Sequence, residues 1–273
     1  CSYASDADVI ALHEPVGGAS DSEAAASATA IVNRVKKLLG SATSQLGIVV
    51  DLDLRPEGKN GPMSRTIASH EEYAQRWAST WERQAAVRAR PIGSSDLDER
   101  ARALFESMAY REVSESEVRD IRLLKARMEN ERLPRGSEPA RHVKLGPGGL
   151  SDVEWTIQLI QMRHGARLPA LRTPSTTRAI AVARDAGLLA APDAEILLSA
   201  WDLATRIRAG NTLATGRMSG VKLDVLPRDS AELSALAAIL GYGSGGLTAL
   251  EEDWLRAARQ ARDVMERAFW EQQ

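Results

Sequence analysis

Cysteine is all but missing from this chain. Cys1 is the only one among 273 residues, which excludes an internal disulfide framework and a zinc ribbon and fits a reducing, cytoplasmic setting. Neither sign of charge is in excess: 35 Lys and Arg stand against 37 Asp and Glu, a formal net charge of −2. There is no global basic footprint for nucleic acid, so a phosphate-bearing ligand has to be held by a local site rather than by the surface field. No apolar run approaches the roughly 18 to 20 residues of a membrane span, and no signal peptide is visible. Aromatics are few and β-branched runs are short, while Ala and Leu abound, a balance that leans toward helix. The chain opens within strand-like sequence, which reads as a fragment whose upstream part is missing.

What is present divides into a small α/β head over residues 1–95 and an all-helical bundle over 96–273, an α+β chain dominated by helix. In the head, Asp8 to His13 is a short apolar strand, broken by Pro15, Gly17 and Gly18. A helix runs from about Ser22 to Leu39, with Ala28, Ile31, Val32, Val35, Leu38 and Leu39 at helical spacing and Gly40 closing it. Gly47 to Leu54 is a second strand, and Arg55 to Pro62 is turn chemistry. Ser69 with Glu72 forms a capping box for a helix that carries Tyr73, Trp77, Trp81 and Ala85 on one face and stops at Pro91. In the bundle, Ser114 with Glu117 and Ser151 with Glu154 read as further capping boxes. Other helices lie near 175–186, 193–209, 229–240 and 247–270, and Gly187 and Gly241 stand where C-caps belong. All six Trp fall on these helices and read as packing residues. The four His share no metal spacing and read as incidental.

The sharpest chemical feature is Ser5-Asp6-Ala7-Asp8. Residues two apart in a strand point to one side, so Asp6 and Asp8 present two carboxylates together. Such a pair repels unless a cation lies between, and Mg2+ suits the place, because it takes one or two carboxylates and fills its octahedron with water and phosphate oxygens. A third acid for a two-metal site comes from the next strand, where Asp51 and Asp53 share facing parity and spacing alone does not choose between them. By itself an Asp-x-Asp is a common solvated strand end.

The combination is more specific. Tyr3-Ala4-Ser5-Asp6-Ala7-Asp8 is followed by Val50-Asp51-Leu52-Asp53-Leu54-Arg55-Pro56-Glu57-Gly58, then Asn60-Gly61-Pro62, Trp81-Glu82-Arg83 and Arg88-Ala89-Arg90-Pro91, and later Lys144-Leu145-Gly146-Pro147-Gly148-Gly149-Leu150-Ser151-Asp152-Val153-Glu154. This order resembles the glutamine-synthetase adenylyltransferase family, a branch of the DNA-polymerase-β-like nucleotidyltransferases, and is closest in style to actinobacterial members. The resemblance covers nearly the whole chain. It implies metal and catalytic carboxylates at Asp6, Asp8 and Asp51, with Asp53 ranked below Asp51, together with Mg2+ and ATP as substrate. It implies transfer of AMP to a tyrosine of glutamine synthetase, as in the family's C-terminal half, with the signalling protein PII as a regulatory partner. Neither a nucleic acid nor a membrane is implied. The family's Gly-Gly stretch ahead of the first strand is not in this chain.

Around that core, Ser5 either donates to a phosphate oxygen or makes a strand-end hydrogen bond. Arg83 and Arg90, seven apart, would share a helical face and either reach phosphates with their planar forks or form a solvated face paired with neighbours such as Glu82. Lys144 and the glycines after it lead into a helix N-terminus where an anion can sit, although the stretch is neither a P-loop nor a dinucleotide fingerprint. The competing readings are phosphorolytic removal of AMP from glutamine synthetase, a related transfer of UMP to PII, and a catalytically silent module that docks on glutamine synthetase or PII.

Overall fold

The structure, a computed structural model, describes residues 6–40, 47–217, 220–243 and 245–271. It is helix-dominated α+β, in two compact units, one ending at Ala109 and the other beginning at Tyr110.

The first unit contains β1 (Ala7–Asp8), β2 (Ala11–His13), α1 (Asp21–Leu39), β3 (Val50–Asp51), β4 (Ser64–Thr66), α2 (Ile67–Arg76), α3 (Thr80–Ala86) and α4 (Ser95–Ala109). Both strand pairings are parallel, β1 with β3 and β2 with β4. Parallel neighbours cannot be joined by a tight turn, and α1 supplies the crossover that returns the chain to β3. The apolar run expected as one strand over Asp8–His13 is two, because the chain changes partner within it. The Val9 N–H still donates to the Asp51 carbonyl at 2.7 Å, whereas Ala11 is already opposite Ser64. The strand expected over Gly47–Leu54 is likewise cut to Val50–Asp51, because the chain turns at Asp53.

Ser20 caps α1 in a reciprocal box with Glu23, and Gly40 ends it through an N–H to the Lys36 carbonyl. The helix half-buries Ala24, Ala25, Ala28, Thr29 and Val32, and packs on β2 and β4. Ile31, Val35, Leu38 and Leu39, expected on its buried stripe, are exposed.

The single helix expected from Ser69 to Pro91 is in fact two. Thr66 caps α2 through the Ser69 N–H at 3.1 Å. Ser79 and Glu82 then form the capping box that starts α3, while Glu72 pairs with Arg76 along α2. The break turns Trp77 and Trp81 outward, 72% and 43% exposed, so these two are not packing residues. Trp254 is one, fully buried with its Nε1–H on the Ala140 carbonyl. The core of this unit gathers Leu52, Ile67, Val87, Leu104, Phe105 and Met108.

His70, at 2% exposure, stands edge-on to Phe105 and Tyr73, with no partner for its Nδ1 among the described residues. Burial, reinforced by the Arg65 charge and opposed by Glu82, pushes its pKa down to about 4.

The second unit is a helical bundle: α5 (Glu115–Glu131), α6 (Leu150–His164), α7 (Thr176–Asp185), α8 (Ala191–Thr215), α9 (Ser230–Ile239) and α10 (Leu247–Met265), which runs on into a π-helical turn over Glu266–Glu271. Ser114 with Glu117, Ser175 and Asp229 cap α5, α7 and α9 where the sequence places them. α6 is the central element, buried on nearly every side, with α7, α8 and α10 around it. Val153, Ile157, Ile160, Ile180, Leu197 and Val264 make one part of the core, and Val143, Ile207, Leu236, Leu250 and Trp254 another.

The glycine-rich stretch ahead of α6 is a packing joint. Gly149 is the N-cap and provides no side chain, so Ser151 with Glu154 does not form the expected capping box. The buried Asp152 takes over instead, accepting the Gly148 N–H at 2.8 Å. Gly148 has φ +72°, and a Cβ there would lie 1.8 Å from the Ala258 carbonyl of α10, so only glycine allows this crossing. Asp152 also receives Lys125 of α5 at 2.5 Å and Arg262 of α10 at 3.1 Å, and both cations reach Glu129 as well. Burial alone would raise the Glu129 carboxyl, but hydrogen bonds from Arg262 and Lys125 outweigh it and hold the group below the usual carboxylate range.

Two predictions follow from this packing. Between pH about 4 and about 6.5 the unfolded chain takes up a proton at His70 that the native chain refuses, so stability is full above that window and declines as pH falls through it. His70→Phe, which fills the same slot against Phe105, should flatten the pH dependence of the denaturant midpoint across that window, read by circular dichroism; an unchanged slope would count against His70 as its source. Asp152→Leu leaves Lys125 buried without its closest anion and should cost about 3–5 kcal/mol. Adding Lys125→Met should recover a large part of that loss, measured by chemical denaturation.

Candidate active site

In the first unit, Asp8 and Asp51 are Cα partners across the β1–β3 pair, fixed by Ala7 N–H to the Val49 carbonyl at 2.8 Å and Val9 N–H to the Asp51 carbonyl at 2.7 Å. Each is the last residue of its strand. Residues in register on neighbouring strands share a face, and the carboxyl ends of parallel strands are where open α/β sheets bind ligands. Asp6 is exposed, immediately ahead of β1. Ser5 and Cys1 lie outside the described residues.

The two acids that sequence parity could not separate take different places. Asp53 has left the strand for an exposed turn, where Lys59 at 3.4 Å and Arg55 at 3.8 Å pair with it. Its N–H donates to Asp51 Oδ1 at 2.7 Å and steadies that carboxylate. Arg55 also ties the loop shut, donating to the carbonyls of Leu52 and Gly61. Glu57, at φ +64°, makes the turn and pairs with Arg65 at 3.1 Å.

Among the described residues no three His, Cys, Asp or Glu side chains gather closely enough to hold a metal ion. What the backbone provides is a carboxylate pair, with Asp6 beside it in sequence. An exposed carboxylate, Asp8, and a half-buried one, Asp51, at adjacent strand ends fit a Mg2+ ion, which needs only one or two protein carboxylates.

The arginines differ from their expected arrangement. Arg83 is 2% exposed and donates from Nε to the Met108 carbonyl at 2.9 Å, bracing α3 against the end of α4. Arg90 lies beyond the end of α3 and is exposed, so the two do not share a helical face. Arg88, which sequence reasoning did not single out, lies in the turn just past α3 and feels the charge of Asp8. Burial lowers its pKa, and the Asp8 charge acts in the opposite direction. Its only sequence signal was its place in the Arg88-Ala89-Arg90-Pro91 run. Lys144 belongs to the second unit, exposed on the loop ahead of α6.

No helix among the described residues is long and apolar enough to cross a membrane. Residues 1–106 match the family described as glutamate-ammonia ligase adenylyltransferase, and residues 122–269 match the one described as GlnD PII-uridylyltransferase. Proteins named bifunctional glutamine synthetase adenylyltransferase/adenylyl-removing enzyme are similar along almost the entire chain. The one from Streptomyces coelicolor is 45% identical over 98% of this chain and 27% of its own length. That from Leifsonia xyli is 44% identical over 98% and 26%, and that from Mycolicibacterium smegmatis 41% over 98% and 27%. The chain thus spans about a quarter of the length of these relatives. With motifs, strand register and similarity in agreement, the chain belongs to the glutamine-synthetase adenylyltransferase family.

Proposed function

We propose that this chain carries the nucleotidyl-transfer site of a glutamine-synthetase adenylyltransferase and moves AMP from ATP to a tyrosine of glutamine synthetase. The observation that carries the reading is the register of Asp8 with Asp51 at the carboxyl ends of two parallel strands. Transfer rather than removal is favoured by the likeness of the motifs to the family's C-terminal half. The match of residues 122–269 to a family named for acting on PII supports PII as a regulatory partner.

In this reading Asp8 and Asp51, with Asp6 beside them, hold Mg2+. Once bound, the ion offsets charge on the α-phosphate oxygens. The substrate phenol, with a pKa of about 10, enters protonated. Its oxygen attacks the α-phosphorus, the bond to the β-phosphate oxygen breaks, and pyrophosphate leaves. Asp51 takes the phenolic proton. The Asp53 N–H on Asp51 Oδ1 holds that carboxylate in orientation, and the loop tied by Arg55 keeps both in place.

In the full-length protein, unmodified glutamine synthetase and ATP labelled in the α-phosphate should give label on glutamine synthetase. Release of ADP from adenylylated glutamine synthetase and phosphate, without forward labelling, would reverse the assigned direction. Asp51→Asn should lower the transfer rate by about a hundredfold or more, in the range of lost general-base and charge-stabilising groups. Asp53→Asn should change it several-fold at most, and both variants should keep wild-type circular dichroism. A normal rate in Asp51→Asn would remove the catalytic assignment.

A further inference from the structure

We infer that Glu57 is a positioning residue for the transfer step: through Arg65 it anchors the turn whose Asp53 N–H orients the Asp51 carboxylate. This rests on the nucleotidyl-transfer reading and adds a residue to it.

Among the described residues Glu57, at φ +64°, is the one residue other than glycine with positive φ. An L side chain there crowds its own backbone, whereas glycine adopts the conformation freely, as Gly58 does next to it at φ +55°. What glycine lacks is a carboxylate, and that of Glu57 meets Arg65 at 3.1 Å. The Glu57 side chain is 53% exposed, so the pair adds little stability to set against the strain. Strain kept without an offsetting gain in stability points to a task at the site.

The connections define the task. Inside the turn, Asp53 pairs with Arg55 and Lys59, and Arg55 reaches the carbonyls of Leu52 and Gly61. These ties close the turn on itself. The Glu57–Arg65 pair leaves it for β4, where the ladder fixes Arg65 opposite Leu12. The Arg65 guanidinium donates to Ser69 Oγ at 3.2 Å and lies over the Tyr73 ring at 5.8 Å, both on α2. Tyr73 in turn donates at 2.8 Å to Glu82, the capping acid of α3. Glu57 thus fastens the turn to a strand and two helices. Asp51 depends on this, because its Oδ1 accepts the Asp53 N–H of the same turn at 2.7 Å. A turn cut loose from Arg65 stays closed but drifts, and carries that donor with it.

Rate and stability therefore respond differently to Glu57. Loss of the carboxylate with a change to glycine relieves the backbone and misaligns the proton acceptor. A side chain that merely supports the fold lowers both together.

The test uses the full-length protein with ATP and unmodified glutamine synthetase. Glu57→Gly should lower kcat about tenfold or more, toward the roughly hundredfold that a displacement of about 1 Å can cost. KM for ATP should stay within about twofold, the pattern of an interaction made only in the transition state. The denaturation midpoint should remain at or above that of the wild type. Arg65→Lys, which keeps a cation for Glu57, should retain more of kcat than Arg65→Met. Adding Glu57→Gly to Arg65→Met should lower kcat no further, because the two act through one contact. The positioning role is overturned if Glu57→Gly keeps the wild-type kcat, if it loses midpoint and rate together, if Arg65→Lys is no better than Arg65→Met, or if the double variant multiplies the two losses. Asp51→Asn separates that failure from failure of the site. A large loss in Asp51→Asn with a normal Glu57→Gly removes Glu57 alone, whereas a normal rate in Asp51→Asn removes the catalytic carboxylate and the Glu57 proposal with it.

Discussion

The short parallel pairing of β1 with β3 is the constraint on which the rest of the first unit depends. It has two residues on each side, and it sets Asp8 opposite Asp51. A ladder that short contributes little stability of its own. It persists because Val50 and Leu52 are buried, because α1 returns the chain in the parallel sense, and because Arg55 and Glu57 close the following loop. Like charges forced together are unfavourable unless something binds there. Their cost to the empty fold is therefore also a driving force for capturing a cation. The same logic explains why the surrounding elements are so heavily tied: a loose strand pair would relax the repulsion by drifting apart.

The second unit handles charge in the opposite way. Lys125 and Asp152 are buried together, and Arg262, Glu129 and Glu266 extend the cluster toward the surface. Desolvating such groups offsets most of their attraction, so the cluster is a weak source of net stability. It is nonetheless demanding about geometry, because each member loses its partner if α5, α6 or α10 shifts by a turn. With Gly148 pressed on the Ala258 carbonyl, the bundle has one crossing that admits little variation. The Gly-Gly-x-x-Asp stretch that looks like a ligand loop in sequence acts here as the hinge-point of that packing.

Much of this was legible in the sequence, and what was missed follows a pattern. The helices that start at Ser114, Ser175 and Asp229 lie where expected, and Ser114 was readable as a cap from Glu117 three residues on, whereas the Ser20–Glu23 box of α1 was passed over with the start placed near Ser22. The extent of the strands was not legible, because a strand ends where its partner ends, and partners are tens of residues away. Ser79-x-x-Glu82 carried a start signal inside a pattern that read as one continuous helix; missing it placed Trp77 and Trp81 indoors. Ser151 and Glu154 had capping spacing too, but burial gave the task to Asp152. In the candidate site, the acids could be named and the choice between Asp51 and Asp53 could not be made on spacing. The family resemblance ranked Asp51 first, and the turn that carries Asp53 off to Lys59 is the structural difference between them.

The fates of three arginines within eight residues show how a helix end can decide which side chain meets a site. At about 100° per residue, a helix continued through Arg90 would align Arg83 with Arg90 and leave Arg88 roughly 140° from the first and about 160° from the second. Pro91 prevents this, because the residue before a proline is driven out of the helical region. α3 has already stopped at Ala86, and Arg88 lies in the turn that closes on the Ala85 carbonyl, with Arg90 beyond it. Arg83, still helical, turns inward to Met108, and Arg90 projects outward. Arg88, held just past the buried Val87, is left within the field of Asp8.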